Sequence, residues 1–239
     1  MEPSTALRVR PITLAGEHRL PVVAPLEALF PDGGLRRGST VAVGGGGATS
    51  LALATSAAAS QAGSWCAAVG WPALGMAAAA GLGVALERFA LVPAPGAQWA
   101  AVTAALIDAV DVILLRAPRA SATEARRLTA RARERGVVLV VAGGRWAGGV
   151  DLSLTVTASP WRGLGQGHGY LQARAVEVAS TGRGAASRER RVALWLPGRH
   201  GAVEERPPAA ASGVPAASGG PLAASASSAS LVASAGAAG

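Results

Sequence analysis

Between Ala42 and Thr49 the chain reads Ala-Val-Gly-Gly-Gly-Gly-Ala-Thr, a glycine run placed between an apolar stretch and an alanine-rich stretch. A strand, then glycines, then a helix is the layout of a phosphate-binding loop. Backbone N–H groups there cradle the phosphates and a lysine bridges the outer ones. Against the spacing G-x-x-x-x-G-K-[ST], Ala42 stands for the first glycine, Gly47 for the second, Ala48 for the lysine and Thr49 for the hydroxyl. The segment Gly44, Gly45, Gly46, Gly47, Ala48, Thr49 therefore has the shape of the loop without its cation. No lysine elsewhere can stand in, because all 22 basic residues are arginine. Glycine runs also serve turns and flexible loops, so the run by itself is a weak signal.

Few other residues offer chemistry. One cysteine, Cys66, and three histidines, His18, His168 and His200, build neither a disulfide framework nor a zinc site. Cys66 lies in a small apolar run and reads as a buried hydrophobe, which fits a reducing compartment. His168, between two glycines, has no serine, cysteine or acid in motif spacing and reads as structural. Trp71, Trp99, Trp146, Trp161 and Trp195 beside arginines suggest base stacking. Trp99 and Trp195 fall in periodic apolar segments and read as core. Trp146 and Trp161, in glycine-rich loops next to Arg145 and Arg162, suit surface contact as well as packing.

These residues need elements to position them. Pro25 to Phe30 gives a short apolar turn or helix, and a turn follows at Pro-Asp-Gly-Gly (31–34). Ser39 to Val43 reads as a strand and Thr49 to Ala62 as a helix. A strand is expected at Trp65 to Val69, a helix around Leu74 to Gly81 and a strand at Phe89 to Val92. A helical segment with Trp99, Val102 and Leu106 on one face then feeds a strand at Val110 to Leu115. Ser121 and Glu124 form a capping box for a helix that runs to Arg135 and stops at Gly136. Ala125, Leu128 and Ala132 make its apolar stripe, while Arg126, Arg127, Arg131, Arg133 and Arg135 spread over the rest. That basic surface suits phosphate or an acidic partner, and a solvated outer helix explains it too. Val137 to Val141 is a β-branched run of the kind buried on both faces in a parallel sheet. Further strands are expected at Leu152 to Thr157, Tyr170 to Val178 and Arg191 to Leu196, with a turn region at 180–190.

At 239 residues with 50% hydrophobic content, the sequence supports one sizeable domain and a tail. The divisions expected are an N-terminal extension (1–21), a domain (22–200) and a tail (201–239). The tail collapses to alanine, serine, glycine and proline with no charge after Arg206, so it is expected to be a disordered spacer. No charged residue occurs from Gly38 to Leu86, yet Pro72 and five glycines from Gly63 to Gly83 interrupt the span, which reads as buried core. The polar, proline-punctuated N-terminus carries no secretory pattern, so a cytoplasmic location is expected. The net charge of +8 permits contact with nucleic acid or an acidic protein surface. A GC-rich coding sequence gives the same arginine and alanine bias.

The order of segments around the glycine run carries a resemblance. Pro-Asp-Gly-Gly-Leu-Arg-Arg-Gly-Ser (31–39), Trp-Cys-Ala-Ala-Val (65–69), Gly-Val-Ala-Leu-Glu-Arg-Phe-Ala-Leu-Val (83–92) and Val-Asp-Val-Ile-Leu-Leu (110–115) follow the order and spacing of the RecA recombinase core. With Ala125 to Gly136, Trp-Arg-Gly-Leu-Gly-Gln-Gly-His-Gly (161–169) and Leu-Trp-Leu-Pro-Gly (194–198), roughly residues 22–197 resemble the RecA-like mutasome accessory proteins of actinobacteria, the ImuA-prime type. The resemblance implies an α/β RecA-like P-loop core, mostly parallel and flanked by helices, followed by antiparallel strands. It also implies three lost functions. Ala48 replaces the lysine; Val69-Gly70-Trp71-Pro72 ends the second strand where a water-activating glutamate belongs, leaving Pro72 there; and Arg116 replaces an acid that helps hold Mg²⁺. Each lost transition-state contact typically costs about 10²–10³ in rate, and phosphoryl transfer rests almost wholly on such contacts.

The implied protein is a pseudo-ATPase without cofactor, weak ATP binding remaining open. It would act as an adaptor in damage-induced translesion synthesis during the SOS response, between a Y-family polymerase-like protein and an error-prone C-family DNA polymerase. Its location would be cytoplasmic, and nucleoid-associated when recruited to damage. Any contact with DNA, through Trp161, Arg162 or the arginine helix, would be secondary, since the stretch 158–169 looks short for a DNA-gripping loop. The alternative is an ATP-dependent recombinase or regulator of the same fold, which Ala48, Pro72 and Arg116 oppose. A dinucleotide-binding enzyme would want an acid where Gly70-Trp71-Pro72 stands.

Overall fold

The computed structural model describes residues 19–116, 120–164 and 169–207, without the side chains of 158–160 and 164. The chain divides into two units, Met1–Pro208 and Ala209–Gly239. The second unit, and with it the expectation of a disordered tail, lies outside the described residues, as does His168.

The domain begins earlier and ends later than the composition suggests. Strands β1 (Arg19–Pro21) and β2 (Gly34–Arg36) form an antiparallel ribbon that buries Leu20 and Leu35. Between them, a 3-10 turn at Ala24–Leu29 starts on Pro25 and buries Leu26 and Leu29. So residues 19–21, expected in an extension, belong to the domain, with Leu20 in its core.

A nine-stranded sheet follows. Its strands are β3 (Thr40–Gly45), β4 (Cys66–Val69), β5 (Phe89–Val92), β6 (Val112–Leu115), β7 (Val138–Ala142), β8 (Leu152–Leu164), β9 (Gly169–Gly182), β10 (Arg190–Trp195) and β11 (Glu204–Glu205), in the order β11-β10-β9-β8-β3-β7-β6-β4-β5. From β8 to β5 every neighbour is parallel, and from β8 to β11 every neighbour is antiparallel. The fold is thus α/β, with a central, mostly parallel sheet, flanking helices and C-terminal antiparallel strands.

Two apolar layers enclose the parallel part. On one face, α1 (Ala48–Gln61) and α2 (Met76–Gly81) pack with the N-terminal ribbon against Val41, Val43, Ala68, Leu114 and Val140. Helix α1 carries no charge and is buried on nearly every side from Leu51 to Ser60, which accounts for part of the charge-free span of sequence. Its hydroxyls satisfy themselves on their own helix: Thr55 and Ser60 donate to Ala52 O and Ala57 O, each at 2.7 Å. No helix among the described residues is long and apolar enough to cross a membrane.

On the other face, α3 (Trp99–Ile107) and α4 (Ala122–Arg135) cover Val69, Ile113, Leu139 and Val141. Helix α3 turns inward on Trp99, Thr103 and Ile107, an i, i+4, i+8 stripe. The expected Val102 and Leu106 are half-buried on its flank, because Thr103 spends its hydroxyl on Trp99 O at 2.7 Å and can be buried in their place.

At the amino edge of the parallel strands two aspartates clamp the layers. Asp111 accepts from Arg37 Nη1 at 2.8 Å and from Trp65 N at 3.0 Å. Asp151 accepts from Thr40 N at 2.8 Å. Beyond β10, Glu204 and Glu205 pair with Trp195 and Leu194, so the sheet that was expected to stop near 200 extends to Glu205.

Candidate functional site

The glycine run lies at the carboxyl edge of the sheet, where the parallel strands end. Strand β3 does not let go at its first glycine. Its pairing with β8 continues through Gly44↔Thr155 and Gly45↔Val156. In a strand, successive backbone groups point to opposite sides, so amides held in a ladder do not converge on one anion. Only Gly46 and Gly47 form a turn, and Gly47 (φ +109°) is the N-cap of α1, accepting from Leu51 N at 3.0 Å. Gly45 (φ +89°) approaches β8 so closely that a Cβ there would fall 2.1 Å from Val156 O. Ala48, in the lysine slot, packs on the α1-side core, and Thr49 is exposed.

The other two substituted positions share a different part of the edge. Past β4, Gly70 (φ +81°) tucks under the Arg116 carbonyl, 2.4 Å from where a Cβ would lie, as only glycine can. Trp71 is buried and donates its Nε1–H to Leu114 O at 3.3 Å, so an indole closes the strand end where an acid was sought. Pro72 is exposed beside it. Arg116 is exposed too, its guanidinium 5.6 Å from the centre of the Trp71 ring and close to Gly143. A shallow depression of about 430 Å³ joins Gly70, Pro72 and Arg116 with the loop 93–96, and no acid is among the described residues that line it. Arg116 and Pro72 are therefore neighbours, while Ala48 begins α1 after β3, a strand that β6 and β7 separate from β4. The clamping aspartates 111 and 151 sit at the opposite, amino edge, too far round the sheet to serve this one.

A cation does reach the glycine turn, from a residue that sequence reading missed. Arg174 of β9 brings Nη1 within 3.7 Å of the position a Gly47 Cβ would occupy, and its guanidinium lies 5.8 Å over the Trp161 ring. The signal existed only in the register, which sets Arg174 opposite Trp161.

The arginine helix is capped as expected: Ser121 Oγ accepts from Glu124 N at 3.2 Å, and Glu124 Oε2 accepts from Ser121 N at 3.0 Å. The Ser121 hydroxyl also bonds that carboxylate and holds it below the usual glutamate range. Ala125, Leu128, Thr129 and Ala132 are buried and all five arginines are exposed. Three of them are engaged internally. Arg131 bonds Asp108, Arg135 pairs with the same carboxylate at 3.1 Å, and Arg133 meets Asp151 at 3.7 Å. The hydrogen bond from Arg131 lowers the Asp108 pKa. Arg126 and Arg127 have no ion pair among the described residues.

Trp146 leaves the set of surface candidates. It is buried against α4, and its Nε1–H donates to Thr129 Oγ1 at 2.9 Å. Gly148 packs so near that pair that a Cβ would lie 2.4 Å from the hydroxyl. Trp161 stays exposed at 38%, while Arg162, also exposed, covers half-buried Trp195 at 4.6 Å.

Residues 28–148, from the first 3-10 turn to the loop after β7, match the MT3502 N-terminal domain. The chain belongs to this family. The MT3502 N-terminal domain here comprises the glycine turn, the closed end of β4, Arg116 and α4, and it stops before β8. An uncharacterized protein of Mycobacterium tuberculosis, Rv3395c, is 36% identical over 132 residues, a stretch that covers 50% of this chain and 65% of the relative. The match thus spans less than two-thirds of that relative's length, and the long hairpin β8–β9 lies outside the MT3502 N-terminal domain.

Proposed function

We propose that this protein is a non-catalytic RecA-type adaptor in damage-induced, error-prone DNA repair. It holds a Y-family polymerase-like protein and an error-prone C-family DNA polymerase together during translesion synthesis, in the cytoplasm and at the nucleoid when recruited to damage. The observation that carries the non-catalytic part is the pairing of β3 with β8 through Gly45, with Ala48 packed on the core. Gly44 and Gly45 run on in the ladder and do not curl their amides around a phosphate. The strand order supports the RecA-type core: the strand bearing the turn stands between β7 and β8 and is separated from β4 by β6 and β7. A dinucleotide-binding sheet of order 3-2-1-4-5-6 keeps its first strand beside its second. The repair role and the two polymerase partners rest on the sequence resemblance.

Isothermal titration with ATP and Mg²⁺, with a phosphate-release assay on the same preparation with and without single-stranded DNA, tests the first part. No release above a buffer control is expected, and release abolished by altering the glycine turn overturns the reading. Deleting the gene is expected to abolish damage-induced mutagenesis; an unchanged mutation frequency rejects the repair role. One observation favours a second reading, anion binding without turnover. Arg174 lies over Gly47, at the amino end of α1, where helix N–H groups attract negative charge. A titration heat that disappears in Arg174→Ala, with no phosphate released, distinguishes it.

A further inference from the structure

The hairpin β8–β9 outreaches the sheet that carries it. The last β3 partner of β8 is Val156, and the chain leaving β10 still bonds β9 at Arg174 through Leu196 and Pro197, so among the described residues 157–164 of β8 pair with β9 alone and 169–173 of β9 with β8 alone. At roughly 3.3 Å per residue this arm runs about 26 Å on the β8 side and about 16 Å on the β9 side. It carries three of the large hydrophobic side chains that are exposed among the described residues: Trp161 at 38%, Tyr170 at 71% and Leu171 at 50%. Apolar side chains concentrated on a projecting arm mark an interaction surface, and tryptophan, tyrosine and arginine are the residues that dominate binding energy at such surfaces. Between 158 and 174 the sequence holds Arg162 and Arg174 and no acid. At the base of the arm, a notch of about 210 Å³ is lined by Arg162, Gln172, Ala173, Trp195, Arg199 and Glu204, two cations against one carboxylate.

We infer that this arm is a docking surface for an acidic segment of another protein, one that carries leucine or phenylalanine among its carboxylates. The occupant's carboxylates meet Arg162 and Arg199, and its apolar side chains meet Tyr170, Leu171 and the open side of Trp161. Charge complementarity selects the acidic partner. A nucleic acid fits less well: guanidinium groups already lie over the rings of Trp161 and Trp195, where bases would stack. So few cations also neutralise few phosphates, and Leu171 has no role against a phosphate backbone. The inference rests on the adaptor reading in that the occupant is a protein, and it adds where the contact is made and by what chemistry.

The test uses the full chain and fluorescence anisotropy with two labelled probes, a 15-residue peptide alternating glutamate and aspartate with leucine and phenylalanine, and a 20-nucleotide oligothymidylate. The peptide is expected to bind, and both Tyr170→Ser/Leu171→Ser and Arg162→Glu are expected to weaken it at least tenfold with unchanged circular dichroism. Added salt should erase most of the Arg162→Glu effect. Equal peptide binding by wild type and variants, absence of peptide binding, or arm-dependent binding of the oligothymidylate alone each overturns the proposal. Capture of the two polymerases is scored separately. If it survives the arm variants, the adaptor reading stands and the arm falls. If wild type captures neither polymerase, the adaptor reading falls while the peptide titration still judges the arm.

Discussion

Ala48 and Cys66 show how little of a residue's meaning lies in its type. A lysine placed at 48 would restore the pattern of a phosphate loop on paper. It would not free the β3 amides from β8, so Ala48→Lys is expected to leave phosphate release at the buffer control, measured by a continuous coupled assay. Cys66 is wholly buried, and burial, with a smaller contribution from Asp111, pushes its thiol up to about 12. The sign follows from linkage: an acid whose folded pKa lies above its ordinary value near 9 stabilises the fold while protonated, and that stability is lost as pH rises from about 9 toward 12. The urea midpoint is therefore expected to fall between pH 8 and pH 10.5, and Cys66→Ala should flatten the fall. The buried thiol is also expected to resist a disulfide reagent at pH 8 until the chain unfolds.

Among the elements, α4 is the one whose ends and faces were legible in advance. Ser121, Glu124 and Gly136 fix its limits through short-range bonds, and the buried stripe follows its 3.6-residue period. Ser121→Ala is expected to cost about 1 kcal/mol in chemical denaturation. The carboxyls of Glu124 and Asp108 are both held below their ordinary values, by Ser121 and Arg131 respectively. Their stabilisation is complete above the ordinary carboxylate pKa and is lost as pH falls through the lowered ones. Melting temperatures of Asp108→Asn should accordingly depend less on pH between about 5 and 2 than those of wild type. Helix α3 was harder to read, because Thr103 can enter the core only by bonding its own helix, which an apolarity count does not register. The hairpin was harder still: 161–169 is rich in glycine, and only pairing between strands reveals that β8 runs to Leu164 and β9 starts at Gly169.

For the molecule as a whole, the closing strand β11 matters beyond its two residues. Its pairs with Leu194 and Trp195, the bond from Arg206 N to Ala193 O at 3.0 Å and the packing of Val203 close the outer edge of β10. A chain ending at Pro207 is expected to melt several degrees above one ending at Gly198, followed by circular dichroism. Composition placed the domain end near 200 because glycine, alanine and proline dominate from there. Two strand residues are too few to register against that background.

Short-range physics is written in the sequence itself: where the helices and the central strands lie, where α4 is capped, that much of the span from Gly38 to Leu86 is core, and that the glycine turn has no lysine. What the chain alone leaves open is set by who stands beside whom. Pairing with β8 decides that the glycines continue a strand. The indole of Trp71 decides that the end of β4 is closed, and a hydroxyl on α4 decides that Trp146 is inside. Register across the hairpin brings Arg174 over the turn from more than a hundred residues away. Contacts of that kind depend on the lateral order of strands, and local propensity carries no information about it.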